Sequence, residues 1–197
     1  MAIETDRIAS HLAGRGELCG YSLRGYIPCY TNDDRKKYVF YYGTDSVCGY
    51  IMADADSGVL IGAGFDLGRY RKQDLKYMKV PDELLKILSY YTAHSGGEAM
   101  RYLRNRPLTL SPGAVMTLTR IMVGEFCRNE LAPVWNDAGE YKRFATMSWQ
   151  EQAVIFDVAH ELGMYEFQGH IKQFADFLYR KDYAGLLGLL DRRKHEL

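Results

Sequence analysis

Residues Ser57-Gly58-Val59-Leu60-Ile61-Gly62-Ala63-Gly64-Phe65-Asp66-Leu67-Gly68 constrain this chain more than any other stretch. Val59 to Ile61 is an apolar run of strand length. It meets Gly62, Ala63 and Gly64, where small residues let the backbone turn sharply and come close to a neighbour. Directly afterwards a single carboxylate, Asp66, sits between Phe65 and Leu67. A charge in apolar surroundings is costly unless it is paired, solvated at a cleft or used for chemistry. Asp66 therefore reads either as a cap for a turn or as a reactive group. The glycines superficially resemble a dinucleotide-binding loop, but the chain lacks the βαβ alternation such a loop requires.

A chain of 197 residues can form one core, or one core with a small lobe attached. Its 25 basic and 25 acidic residues balance, so it lacks the basic excess expected of a nucleic-acid partner. No apolar run approaches the roughly 20 residues of a membrane span. The opening Met1-Ala2-Ile3-Glu4-Thr5-Asp6-Arg7 lacks the basic and apolar regions of a secretory leader. The expectation is a protein that stays in the cytoplasm or is exported without a cleaved signal peptide. The four cysteines, Cys19, Cys29, Cys48 and Cys127, fit no zinc spacing. They read as small buried hydrophobes, or as a Cys19–Cys48 or Cys29–Cys48 bridge.

Residues 1–70 mix one helix with strand and turn signals. Ile3 to Leu12, with apolar residues at Ile3, Ile8 and Leu12, reads as a helix ending at Gly14 and Gly16. Residues 36–51 are rich in tyrosine and valine around Gly43-Thr44-Asp45 and predict a hairpin. Residues 71–197 are helical. Pro81-Asp82-Glu83 opens one helix, Ser111-Pro112 opens a long apolar one, and Ser148-Trp149-Gln150-Glu151 is a capping box for a helix reaching Gly163. Two further helices are expected over about 166–180 and 182–195. This predicts an α+β protein of one domain, with a small β-containing N-terminal lobe on a larger helical lobe and a cleft between them.

A cleft enzyme needs two polar groups with different tasks. Asp66 is one candidate and Glu17 another, since Glu17 falls where the first helix should end. An apolar setting there, beside Leu18 and Tyr21, favours the protonated form that a general acid needs. Paired carboxylates are the usual machinery of glycoside hydrolysis, although helix-end carboxylates are common on surfaces. Other constellations are weaker. His94-Ser95-Gly96-Gly97 lacks a nucleophile elbow, and Ser95 reads as a helix cap. Asp157, His160 and Glu161 share a helix face without a second ligand pair, so no metal is expected. Several of the 16 tyrosines, Tyr26 among them, crowd the β-containing lobe, where such rings line a sugar groove or simply pack.

The Ser57–Gly68 segment closely resembles the Ser-Gly-Val-Thr-Ile-Gly-x-Gly-Phe-Asp-Leu-Gly signature of pesticin-like lysozymes, relatives of phage-type muramidases. Phe144 to Ala153 is similar to that family's Phe-x-x-Leu-Pro-x-x-x-Gln segment. Leu190 to Glu196 is similar to its closing Arg-Arg-x-x-Glu. The resemblance implies a lysozyme-like fold and cleavage of the β-1,4 bond between N-acetylmuramic acid and N-acetylglucosamine in peptidoglycan, with no cofactor. It implies a catalytic pair of Glu17 and Asp66, with Tyr26, Ser57 and Phe65 as substrate-binding candidates. Gly25-Tyr26-Ile27-Pro28 resembles the Gly-Tyr-Val-Pro that follows the family's glutamate, and residues 30–50 then form an inserted hairpin. Gly49-Tyr50-Ile51 is the alternative match, and since no glutamate lies between residues 18 and 82, it leaves the site without an acid. At the family's strand threonine this chain has Leu60. Ser57, Thr44 or Asp56 would then have to supply the missing oxygen.

The implied setting is that of an antibacterial toxin acting on the periplasm and wall of target bacteria. It would be delivered by a secretion-system carrier or by lysis, and restrained by a cognate immunity protein. A phage endolysin and a catalytically inactive wall-binding module are the alternatives.

Overall fold

The computed structural model describes residues 2–15, 41–42, 46–48, 57–61, 65–138, 141–182 and 184–185. Glu17, Tyr26, Cys19, Cys29 and the expected helix over 182–195, apart from its first few residues, lie outside them. The chain forms two compact units, Ala9–Val123 and Gly124–Leu197 with Met1–Ile8. Their boundaries fall inside two helices, α1 (Thr5–Arg15) and α5 (Pro112–Phe126).

Within Ala9–Val123, β1 (Tyr41–Tyr42) and β2 (Ser46–Cys48) pair antiparallel in the tyrosine-rich stretch, with Tyr42 opposite Ser46. A second pair follows, β3 (Leu60–Ile61) and β4 (Phe65–Asp66), in the glycine-rich signature. A 3-10 turn at Leu67–Arg69 leads to α2 (Lys72–Tyr77), α3 (Asp82–Leu88) and α4 (Gly96–Asn105). Strand β5 (Thr109–Leu110) then returns to β2, setting Leu110 opposite Val47 and completing the order β1-β2-β5. Val59, Ile61, Phe65, Leu67, Leu75, Leu88, Leu103 and Leu118 are buried. The Ser111 hydroxyl accepts from the Ala114 N–H at 3.3 Å and starts α5, with Pro112 as its first residue.

In the other unit α5 continues through a π turn, Cys127–Leu131, into α6 (Ala132–Asp137). The cause is local: Pro133 has no N–H and its ring would collide with the carbonyl four residues back, so the regular ladder cannot run through it. A 3-10 turn at Phe144–Thr146 precedes α7 (Trp149–Leu162), and α7 packs on α8 (Met164–Arg180). The Ser148–Glu151 capping box is formed in both directions, with N–H to oxygen distances of 3.3 and 2.8 Å. Partial burial pushes the Glu151 carboxyl up, but the Ser148 N–H and hydroxyl and the nearby Lys142 outweigh it. The net pKa lies below the ordinary value. Gly163 joins α7 to α8 at φ +77°, a conformation that L side chains rarely adopt.

Trp135, Phe144, Phe156, Phe167 and Phe174 form this unit's buried aromatics. Gln152 lies among them fully buried. Its Oε1 accepts from the Glu4 N–H at 2.9 Å. Its Nε2 donates toward the carbonyls of Phe144 and Met147, each 3.2 Å away, and that of Ala2 at 3.4 Å. One side chain thus ties the N-terminal segment to the turn before α7.

Candidate functional site

The β3–β4 pair aims its side chains by strand alternation. Phe65 is buried, its ring centroid 5.2 Å from that of Tyr70, and Asp66 falls on the opposite face. Leu60 lies directly across from Asp66. The Leu67 N–H donates to the Val59 carbonyl at 2.9 Å, which makes Val59–Leu67 a hydrogen-bonded pair. Leu60–Asp66 is then the neighbouring non-hydrogen-bonded pair, where opposed side chains come closest. An apolar wall, 8% exposed, therefore stands beside the carboxylate where the resemblance expects a threonine hydroxyl.

Asp66 Oδ1 accepts two backbone N–H groups, from Gly58 at 3.0 Å and from Gly68 at 2.9 Å. The second bond caps the Leu67–Arg69 turn. The two glycines are pressed together: a Cβ on Gly58 would come 2.3 Å from the Gly68 nitrogen, and one on Gly68 would come 2.7 Å from the Gly58 Cα. Either would also lie 2.7 Å from the His94 carbonyl oxygen. Only glycine fits at both positions, and this close approach is what brings two N–H groups onto one oxygen. The other oxygen, Oδ2, is 3.4 Å from the Arg69 Nε, with the Asp66 side chain 11% exposed and that of Arg69 80% exposed. With the arginine so exposed, the pair contributes little to stability. Asp66 thus caps a turn with one oxygen and faces Arg69 with the other.

Ser57 adjoins this cradle. Its carbonyl accepts from the Gly96 N–H at 3.0 Å, and its hydroxyl is buried without a hydrogen-bond partner among the described residues. Of the residues singled out in the sequence, Ser57, Phe65 and Asp66 are thus brought together, while Glu17 and Tyr26 lie outside the described residues. What the sequence did not reveal is the third wall, the turn at 93–95. Ser95 does precede α4, but its hydroxyl makes no capping bond, and the Glu98 and Ala99 N–H groups donate to its carbonyl instead. No group of three or more His, Cys, Asp or Glu side chains suited to a metal exists among the described residues, and none of their helices is long and apolar enough to cross a membrane.

No curated protein matches the chain. Residues 37–184 match the sequence profile of the Pesticin family, described as "Bacterial toxin homologue of phage lysozyme, C-term". The match contains the whole Asp66 cradle and begins 20 residues after Glu17. It covers three quarters of a chain whose fold is α+β and lysozyme-like, so this protein belongs to the Pesticin family of phage-lysozyme homologues.

Proposed function

We propose that this protein is a peptidoglycan hydrolase that cuts the β-1,4 bond between N-acetylmuramic acid and N-acetylglucosamine as an antibacterial toxin, the whole chain serving as one lysozyme-like domain. The observation that carries this reading is the Asp66 cradle within the family-matched region: a carboxylate with one oxygen fixed by two backbone N–H groups and the other facing an exposed arginine. Glycoside hydrolysis needs a proton donor to the leaving oxygen and a second carboxylate that activates water or stabilises the oxocarbenium-like centre. Asp66 takes the second role. Because its orientation is set by Gly58 and Gly68 before substrate arrives, little reorganisation accompanies the reaction.

Glu17 is the proton donor in this proposal, on the strength of its position just after α1 and of the sequence resemblance. Tyr26 and Ser57 contact the glycan strand, and Phe65 supports Asp66 from the core side. Two carboxylates supply both proton and countercharge, so the reaction requires no cofactor. The toxin reaches the periplasm of target bacteria through a secretion-system carrier, and the producer holds a cognate immunity protein. A phage endolysin would use the same chemistry in another setting.

Leu60 favours a second reading. With an alkyl side chain opposite Asp66 and no glutamate between residues 18 and 82, the domain would bind the wall without cutting it. Incubation with purified sacculi separates the two. The hydrolase releases soluble muropeptides and new reducing ends, and Glu17→Gln and Asp66→Asn each abolish release. Sedimentation with sacculi but no release supports the binding module, and neither binding nor release overturns both.

A further inference from the structure

We infer that Tyr102 is a positioning residue for Asp66, acting through a stacked His94; this rests on the proposed catalytic role of Asp66. The third wall of the cradle is the His94 carbonyl, which presses on both glycines that hold Asp66 Oδ1. That carbonyl sits in a turn joined to the signature at two points. The Ala93 N–H donates to the Leu67 carbonyl at 3.3 Å, and the Gly96 N–H donates to the Ser57 carbonyl at 3.0 Å. The turn is strained, because Ala93 occupies φ +61°. A non-glycine residue persists there only when its surroundings over-determine it.

The over-determination comes from α4. The His94 imidazole stacks on the Tyr102 ring, with centroids 3.9 Å apart and planes 18° apart. Its Nδ1 lies 3.2 Å from Glu98 Oε2, one turn earlier on the same helix. Tyr102 is buttressed in turn by Tyr90 at 5.0 Å, and Tyr90 by Tyr91, also at 5.0 Å. The Tyr91 hydroxyl ends the series by donating to the Arg106 carbonyl at 2.7 Å. A continuous line of rings therefore fixes the imidazole, the imidazole fixes the strained turn, and the turn's carbonyl fixes the spacing of the two N–H groups on Asp66. Loss of the stack lets the turn relax, and the carboxylate loses its set orientation although nothing touching it has changed.

The test compares Tyr102→Phe, Tyr102→Leu and Tyr102→Ala with wild type by two measurements on the same samples: hydrogen exchange at the Gly58 and Gly68 amides, and sacculus turnover beside sacculus binding. Phe keeps the stack and matches wild type in both. Ala, or Leu where the Ala variant does not fold, speeds exchange at Gly58 and Gly68 by about tenfold relative to the amides of α8. It also lowers turnover by about tenfold or more with binding unchanged. Uniform acceleration of exchange across the chain, unchanged exchange at the two glycines, or a Phe variant that behaves like Ala overturns the inference. If wild type releases no muropeptides, the hydrolase reading fails, and the exchange measurement still decides whether Tyr102 orders the Asp66 cradle.

Discussion

Asp66 and Gln152 are both polar side chains held by backbone groups, one in each unit, and they are held to different ends. Gln152 is fully buried, and both ends of its amide are matched by main-chain partners. Among the described residues Asp66 accepts backbone N–H groups on Oδ1 alone, and Oδ2 faces an exposed arginine. A neutral amide with every bond made inside a core specifies one arrangement of the segments around it. A carboxylate fixed in direction through one oxygen, with an exposed guanidinium at the other, is the group on which the proposed function rests. The contrast separates a polar group that builds the fold from one that the fold presents.

The largest effect that tests this contrast is on activity. Asp66→Asn keeps an Oδ1 that accepts the same two N–H groups, so thermal unfolding should barely move while sacculus turnover falls by about a thousandfold. A large loss of stability would make Asp66 a second Gln152. The mirror experiment is Gln152→Leu, which strands an N–H at Glu4 and carbonyls at Phe144 and Met147. Urea unfolding should report a loss of about 3 kcal/mol, and a loss below about 1 kcal/mol would show that the hub is dispensable. Gly58→Ala should cost about 2 kcal/mol and also remove turnover, because its Cβ meets backbone that cannot swing aside. Stability lost with turnover kept would show that the cradle serves packing alone.

The smallest effect is alkaline and touches both units. Burial pushes the Cys127 thiol and the Tyr91 hydroxyl each up to about 12. Both are neutral in folded and unfolded chains below about pH 8, so their stabilising contribution is complete there. Above that the unfolded chain releases these protons first, starting with the thiol, and stability falls as pH rises toward 12. The unfolding free energy from urea titration should therefore drop by about 1 kcal/mol between pH 9 and 10. Tyr91→Phe should flatten the decline only above pH 10, where the phenol joins it. A flat profile to pH 11 in the wild type would contradict the burial of both groups.

What the sequence made legible was short in range. The Ser148–Glu151 box and the Ser111 cap each close within three residues, and Gly163 ends α7 through its own φ angle, so a few letters suffice to see them. The six-residue α2, the two-residue β5 and the π turn before Pro133 went unseen, because elements that brief carry no period. β5 in addition exists only through its partners at Val47 and Cys48, some 60 residues away. Asp66 was legible as an isolated carboxylate after glycines. Of its two readings, the cap is formed through Oδ1, and the reactive group belongs to the proposed function.

By itself the sequence determined that a short strand and one carboxylate would occur together, and that helices would start near Pro81, Pro112 and Trp149, since these follow from neighbours along the chain. Only the tertiary structure decided that Gly58 and Gly68 would touch, that Leu60 would stand opposite Asp66, and that the carbonyl of His94 would close the cradle. Those contacts join residues whose separation in the chain is paid back only when distant segments pack, and no local pattern encodes the distance at which two backbones meet.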